Sequence, residues 1–222
     1  MLQSKQRLLE LNAKLAEMLT SKGVTATADE TTTALVNKVA DITDSGDDSI
    51  LRGLIQRDLT EITIPNGVTS IGKYAFANYE NLTSIALPDS VTSIDDYAFL
   101  SCKNLISVTI ANGVTNIKFA AFRYCSSLTN ITIPSSVTSI GSNALQSCSA
   151  LEQVTLGDGF NCNKLDLSAS TLYSRETILQ WLNALADRTG QTAYTLTIRA
   201  TNLAKLTEDD ILIATNKNWT LA

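Results

Sequence analysis

The chain has 222 residues, 44% of them apolar, a net charge of −5 and no histidine. Enough apolar residues are present for a folded core, and the acidic balance without any basic run excludes a protein held on nucleic acid by phosphate contacts or on anionic lipid by a polybasic patch. Without histidine the commonest general base, the commonest metal ligand and the usual catalytic triad are gone, and no apolar stretch reaches the ~20 residues of a membrane helix. The expectation is a non-enzyme with no cofactor, no nucleic acid and no membrane insertion.

In chain order, residues 2–19 read as an amphipathic helix with Leu8, Leu11, Leu15 and Met18 along one seam, and Gly23 stops it as a C-cap. A capping box, Thr27 to Glu30, opens a second helix to about Ile42, with Leu35, Val39 and Ile42 on one face. Two helices this short bury little on their own. Their apolar faces need cover from each other, from the rest of the chain or from another copy, so residues 1–42 are expected to anchor or oligomerise the protein. Lys5, Arg7, Glu10, Lys14 and Glu17 interrupt the leucines, which argues against a signal peptide. The expected location is a virion, or outside the cell after lysis. Residues 43–49 form a polar linker, and residues 50–58, with Leu51, Leu54 and Ile55, are expected to cap the open end of the repeat region that begins at Leu59.

From Leu59 the chain repeats every 23 residues. Leu59, Leu82, Leu105, Leu128 and Leu151 head five units, with Ile62, Ile85, Val108, Ile131 and Val154 three residues later, and Ile64, Leu87, Ile110, Ile133 and Leu156 two further on. The period-two ending is that of a strand with one buried face. Val68, Val91, Val114 and Val137 align next, then Ile71, Ile94, Ile117 and Ile140, then the pairs beginning at Ala75, Ala98, Ala121 and Ala144. One unit cannot bury its own apolar face but stacked units can, so residues 59–156 are expected to form a short parallel solenoid. The fifth unit departs from the pattern after Leu156, as a closing unit should. Cys102, Cys125 and Cys148 share one repeat position, filled by Tyr79 in the first unit, and read as a ladder of buried thiols. A disulfide between neighbours would strand the third thiol, and zinc would want paired C-x-x-C spacing. The repeat assigns no place to Cys162.

Units such as LTEITIPNGVTSIGKYAFANYEN and LTSIALPDSVTSIDDYAFLSCKN resemble BspA-type leucine-rich repeats. The resemblance implies a β-rich solenoid of parallel strands, of the kind found in adhesion and recognition proteins of bacteria and phages, with no catalytic residue. The stretch from Leu11 to Ile42 resembles N-terminal regions of phage and prophage tail proteins of gut bacteria. The expected function is that of a phage or prophage structural protein presenting a recognition module, with a bacterial cell-surface adhesin and an intracellular scaffold as the alternatives.

Residues 157–222 are expected to form an α+β C-terminal cap, with a separate ligand-binding domain as the alternative. Ser174 caps a helix over about Arg175–Asp187, residues 194–199 alternate as a strand, Thr207 opens a last helix, and Asn218–Leu221 form a final strand from which Trp219 packs on the solenoid end.

The paired carboxylates Asp47-Asp48, Asp95-Asp96 and Asp209-Asp210 are sequence neighbours, better explained by solvation and capping than by a facing hydrolytic pair. Asp158 and Asp166 lack any calcium-loop motif around them, and the threonine rows suit exposed strands rather than an ice-binding face. Recognition should use positions that do not repeat: Lys73, Tyr74, Asp96, Tyr97, Lys118, Phe119, Arg123 and Tyr124, which place aromatics and cations on or near one set of turns. The expected partner is a protein or a cell-surface glycan.

Overall fold

The computed structural model describes residues 60–64 and 66–222. The seam of Leu8, Leu11, Leu15, Met18, Leu35, Val39 and Ile42 lies outside them, as do the linker and the N-terminal cap. Five short strands, β1 (Glu61–Thr63), β3 (Ser84–Ala86), β5 (Ser107–Thr109), β7 (Asn130–Ile133) and β9 (Gln153–Leu156), pair in that order as a parallel sheet. Four two-residue strands, β2 (Ser70–Ile71), β4 (Ser93–Ile94), β6 (Asn116–Ile117) and β8 (Ser139–Ile140), form a second parallel sheet. The register sets Ile62 beside Ile85, Ile85 beside Val108 and Val108 beside Ile131, so each turn of the solenoid consumes one 23-residue unit.

Identical positions therefore stack as ladders. Phe76, Phe99 and Phe122 form a buried column with ring centroids 5.2 and 5.0 Å apart, close to the ~4.8 Å strand spacing. Outward threonines are bound rather than free: Thr92, Thr115 and Thr138 each donate Oγ1 to the backbone carbonyl of the threonine one layer before. Gly113 is where layers touch most closely, since a Cβ there would lie 2.0 Å from the carbonyl oxygen of Asp89.

The thiols of Cys102, Cys125 and Cys148 are buried and free, donating to the carbonyls of Phe76, Phe99 and Phe122 at 3.0, 3.2 and 3.2 Å. Cys162 is buried as well, against the carbonyl of Lys164. Burial pushes the Cys125 thiol well up, and lifts the Cys148 thiol to about 12 from an ordinary 9.0. Between those two values the unfolded chain loses the proton while the folded chain keeps it, so stability falls as pH rises through that window. We expect urea stability to drop from pH 9 toward 12, with a shallower drop in Cys148→Ala. We also expect Ellman's reagent to titrate no ladder thiol until the chain is denatured.

After Leu156 the chain changes course. Phe160, where the repeat wants valine, is buried and bridges Leu185 in parallel. A second unit comes next: β10 (Lys164–Asp166), α1 (Arg175–Ala184), β11 (Tyr194–Thr197), α2 (Ala200–Leu203), α3 (Glu208–Asn216) and β12 (Trp219–Leu221), with the strands in a parallel sheet ordered β10-β11-β12. Ser174 caps α1 by accepting from the N–H of Thr177. That helix stops at Ala184 rather than Asp187, because Leu185 turns extended (ψ 138°) to make the bridge with Phe160. Thr207 and Asp210 form a reciprocal capping box on α3, and Arg175 ties α1 to it through a two-pronged bond to Asp210, 2.8 and 2.7 Å. Those bonds hold the Asp210 carboxyl below its ordinary range.

The tryptophan that meets the solenoid is Trp181, not Trp219. Its buried Nε1 donates to the carbonyl of Val154 in β9 at 2.6 Å, and its ring meets Tyr173 edge-on. Trp219 is held within the C-terminal unit, donating to the carbonyl of Ala186 and packing edge-on against Tyr194. Two aromatics near the end of the chain carry the same sequence signal, and the direction in which α1 leaves Ser174 decides which of them faces β9.

Candidate binding surface

Between the two sheets, each layer turns twice through left-handed backbone. Tyr74, Tyr97, Ala120 and Asn143 have φ of 58°, 58°, 52° and 61°, and Asn78, Ser101, Tyr124 and Ser147 have φ of 61°, 58°, 63° and 64°. Asparagine suits such a corner, whereas a bulky residue there is strained by ~1 kcal/mol or more. Bonds to the next layer hold the corners in place: the N–H groups of Tyr74, Tyr97 and Ala120 donate to the carbonyls of Asp96, Phe119 and Ser142 at 3.2, 3.0 and 3.0 Å.

The first corner carries a strip of aromatic rings. Tyr74 and Tyr97 stack face to face at 4.8 Å, and Phe119 meets Tyr97 edge-on at 5.2 Å. Phe119 belongs to the next layer but stands one residue before the corner, because Ala120 occupies the left-handed position there. Lys73 lies 5.4 Å over the ring of Tyr74, which extends the strip with a cation. Asp96 accepts the N–H of Phe119, and Lys118 pairs with Asp95 at 2.7 Å. Six of the eight predicted residues thus come together on one ladder. Arg123 and Tyr124 do not join them. They stand on the second corner, where Arg123 lies 4.6 Å over the Tyr124 ring and donates to its hydroxyl. The two corners lie four residues apart in each layer, which sets Arg123 and Tyr124 on a neighbouring ladder rather than on the strip.

The strip is open to solvent at one end: Phe119 is 36% exposed, while the two tyrosine rings are half-buried against each other. No group of histidine, cysteine and carboxylate side chains suited to hold a metal exists among the described residues. No described helix is long and apolar enough to cross a membrane. What the strip offers chemically is rigid aromatic area flanked by cations, the composition of interface centres.

A family model described as a BspA type leucine-rich repeat region matches residues 55–169 with six copies, one more than the five units read from the leucines. The chain belongs to that family. Three solved leucine-rich-repeat proteins are similar to parts of the chain. A leucine-rich-repeat protein of T. pallidum is 21% identical over 73% of this chain and 85% of its own, with a TM-score of 0.46. One from Bacteroides ovatus is 27% identical, with a TM-score of 0.44, and covers 65% of this chain, which spans only 35% of that longer protein. One from Bacteroides capillosus is 32% identical over 44% of this chain and 77% of its own, with a TM-score of 0.38. No curated protein matches the chain. Within this BspA-type repeat, the left-handed corner itself does not demand a bulky ring, since Ala120 and Asn143 fill the same place as Tyr74 and Tyr97.

Proposed function

We propose that this BspA-type repeat protein is a non-catalytic binding and assembly protein whose solenoid holds the Tyr74–Tyr97–Phe119 strip against a protein partner. One observation carries the reading: bulky rings occupy a backbone conformation that favours asparagine, and they form a continuous half-exposed stack there. Strain kept at a surface position is a mark of use rather than of folding. A cell-surface glycan stacked on the same rings is the alternative ligand.

In the finer form of the proposal the chain is a structural component of a phage or prophage particle. Residues 1–42 attach or oligomerise it, residues 157–222 close the stack as a cap, and the virion carries the solenoid outward. The likeness of residues 11–42 to tail-protein N-termini supports this form. The family supports equally a bacterial surface adhesin that binds host or matrix proteins.

Two measurements test these statements. Tyr97→Asn relieves the strained corner and gives up two ring contacts of comparable size, so the melting temperature should change little. Capture of bacterial-surface or matrix proteins should meanwhile fall by ~30-fold, the loss of one interface centre worth about 2 kcal/mol. Undiminished capture by this variant would remove the strip as the binding surface. Light scattering behind size exclusion tests the assembly role. A discrete oligomer that becomes a monomer on deleting residues 1–42 supports it, an oligomer that survives the deletion contradicts it, and a monomeric intact chain contradicts self-association through these residues.

A further inference from the structure

One layer beyond Phe119, at the end of the corner ladder, the pattern of backbone bonds between layers breaks off. In every earlier layer three corner N–H groups reach carbonyls of the adjacent layer. Tyr97, Phe99 and Ser101 donate to Phe119, Ala121 and Arg123 at 3.0, 2.7 and 2.8 Å, and Ala120, Phe122 and Tyr124 donate to Ser142, Ala144 and Gln146 at 3.0, 2.8 and 2.9 Å. The equivalent donors of the last corner are the N–H groups of Asn143, Leu145 and Ser147, and among the described residues none of them reaches an acceptor. A row of main-chain donors left open at the edge of a ladder is a template on which another chain can pair.

The cause is the change of course after Leu156. The residues one layer on have left the stack: Leu165 pairs with Leu196 of β11, and the N–H of Leu167 donates to Thr197. Where a further corner would lie, a groove of about 690 Å3 opens, within the size range of ligand sites. One wall is the last corner, including Asn143, Leu145 and Ser147; the other is β10, an edge strand, with Lys164 and Asp166, and Arg199 lies beside it. Lys164 and Arg199 form no ion pair among the described residues, although Arg199 Nε donates to the carbonyl of Ser168. Asp166 keeps its negative charge while its Oδ1 accepts from the N–H and hydroxyl of Ser168, and with Lys164 and Arg199 beside it two cations face one carboxylate, so the balance of charge lining the groove is positive.

We propose that this groove binds an acidic peptide segment laid down as the missing layer. Its main-chain carbonyls accept from Asn143, Leu145 and Ser147, and its carboxylates face Lys164 and Arg199. The earlier layers define the acceptor: three donors at every second residue are met by three carbonyls at every second residue of the next layer. A peptide main chain has that repeat and a sugar chain does not. Recognition of this type, by completing a hydrogen-bond ladder, draws affinity from backbone and selectivity from flanking side chains.

The test uses the full chain and amide hydrogen exchange. In the free protein the amides of Asn143, Leu145 and Ser147 should exchange far faster than those of Ala120, Phe122 and Tyr124 one layer earlier. Equal protection would overturn the premise. A displayed library of random octapeptides is then panned on the full chain, and the enriched peptides are synthesised. They should be rich in Asp and Glu, protect the three amides, bind about tenfold more weakly to Lys164→Glu, and bind Tyr97→Asn as they bind the parent. Peptides that lose affinity on Tyr97→Asn and not on Lys164→Glu belong to the strip and overturn the assignment. So does a panning that yields no peptide protecting the three amides, or an oligogalacturonate that protects them where no peptide does.

Discussion

Phe99→Ala should cost about 3–5 kcal/mol of unfolding free energy in urea. Phe99 is fully buried between Phe76 and Phe122, so truncation removes stacking with both and leaves a cavity that rigid neighbouring layers cannot close. The position in the ladder sets the size of the effect. Leu145 continues the same column but stands in the last layer, where the groove lies on one side, and it is 5% exposed. Leu145→Ala should therefore cost less, about 2–3 kcal/mol, the lower part of the range for such truncations. In a stack, stability is shared between neighbouring layers, so the Phe99 variant should also broaden the transition. A Phe99 variant that costs less than its Leu145 counterpart would show that the column is not the spine of the solenoid.

Trp181→Ala should cost a similar ~3–5 kcal/mol, concentrated at the junction between β9 and the C-terminal unit. Trp181→Phe separates the two parts of the interaction. It keeps most of the ring packing against Tyr173 but leaves the buried carbonyl of Val154 without its donor, a loss of about 1–3 kcal/mol. The chain has two tryptophans, so Trp219 is the sole tryptophan fluorophore in either variant and reports on the C-terminal unit directly. Far-ultraviolet circular dichroism reports on the whole chain. In Trp181→Ala the Trp219 transition should move to lower urea ahead of the dichroism transition, because the C-terminal unit loses its hold on β9. Coincident and unshifted midpoints would mean that the other buried contacts of this junction suffice without Trp181.

What sequence alone determined is the solenoid. Ile62, Ile85, Val108, Ile131 and Val154 recur at a fixed interval and must face one core, and the strands pair in the register that this interval demands. The same logic read the thiol ladder, because a position that repeats in sequence repeats in space. Local capping chemistry likewise located Ser174 and Thr207. Tertiary structure decided everything that does not repeat. No periodicity marks a left-handed corner that is tyrosine in two layers, alanine in one and asparagine in another, since φ depends on bonds to the next layer. The early stop of α1 depends on Leu185 meeting Phe160, and the choice between Trp181 and Trp219 depends on the path of the chain beyond Ser174. The groove was least legible of all. The only sequence signal for it is the loss of pattern after Leu156, and its three free donors arise because residues far along the chain, in β11, draw β10 away from the stack. Repetition makes a structure readable because each layer supplies the partner of the one before; where the repetition ends, partners come from distant residues, and only the folded chain reveals which.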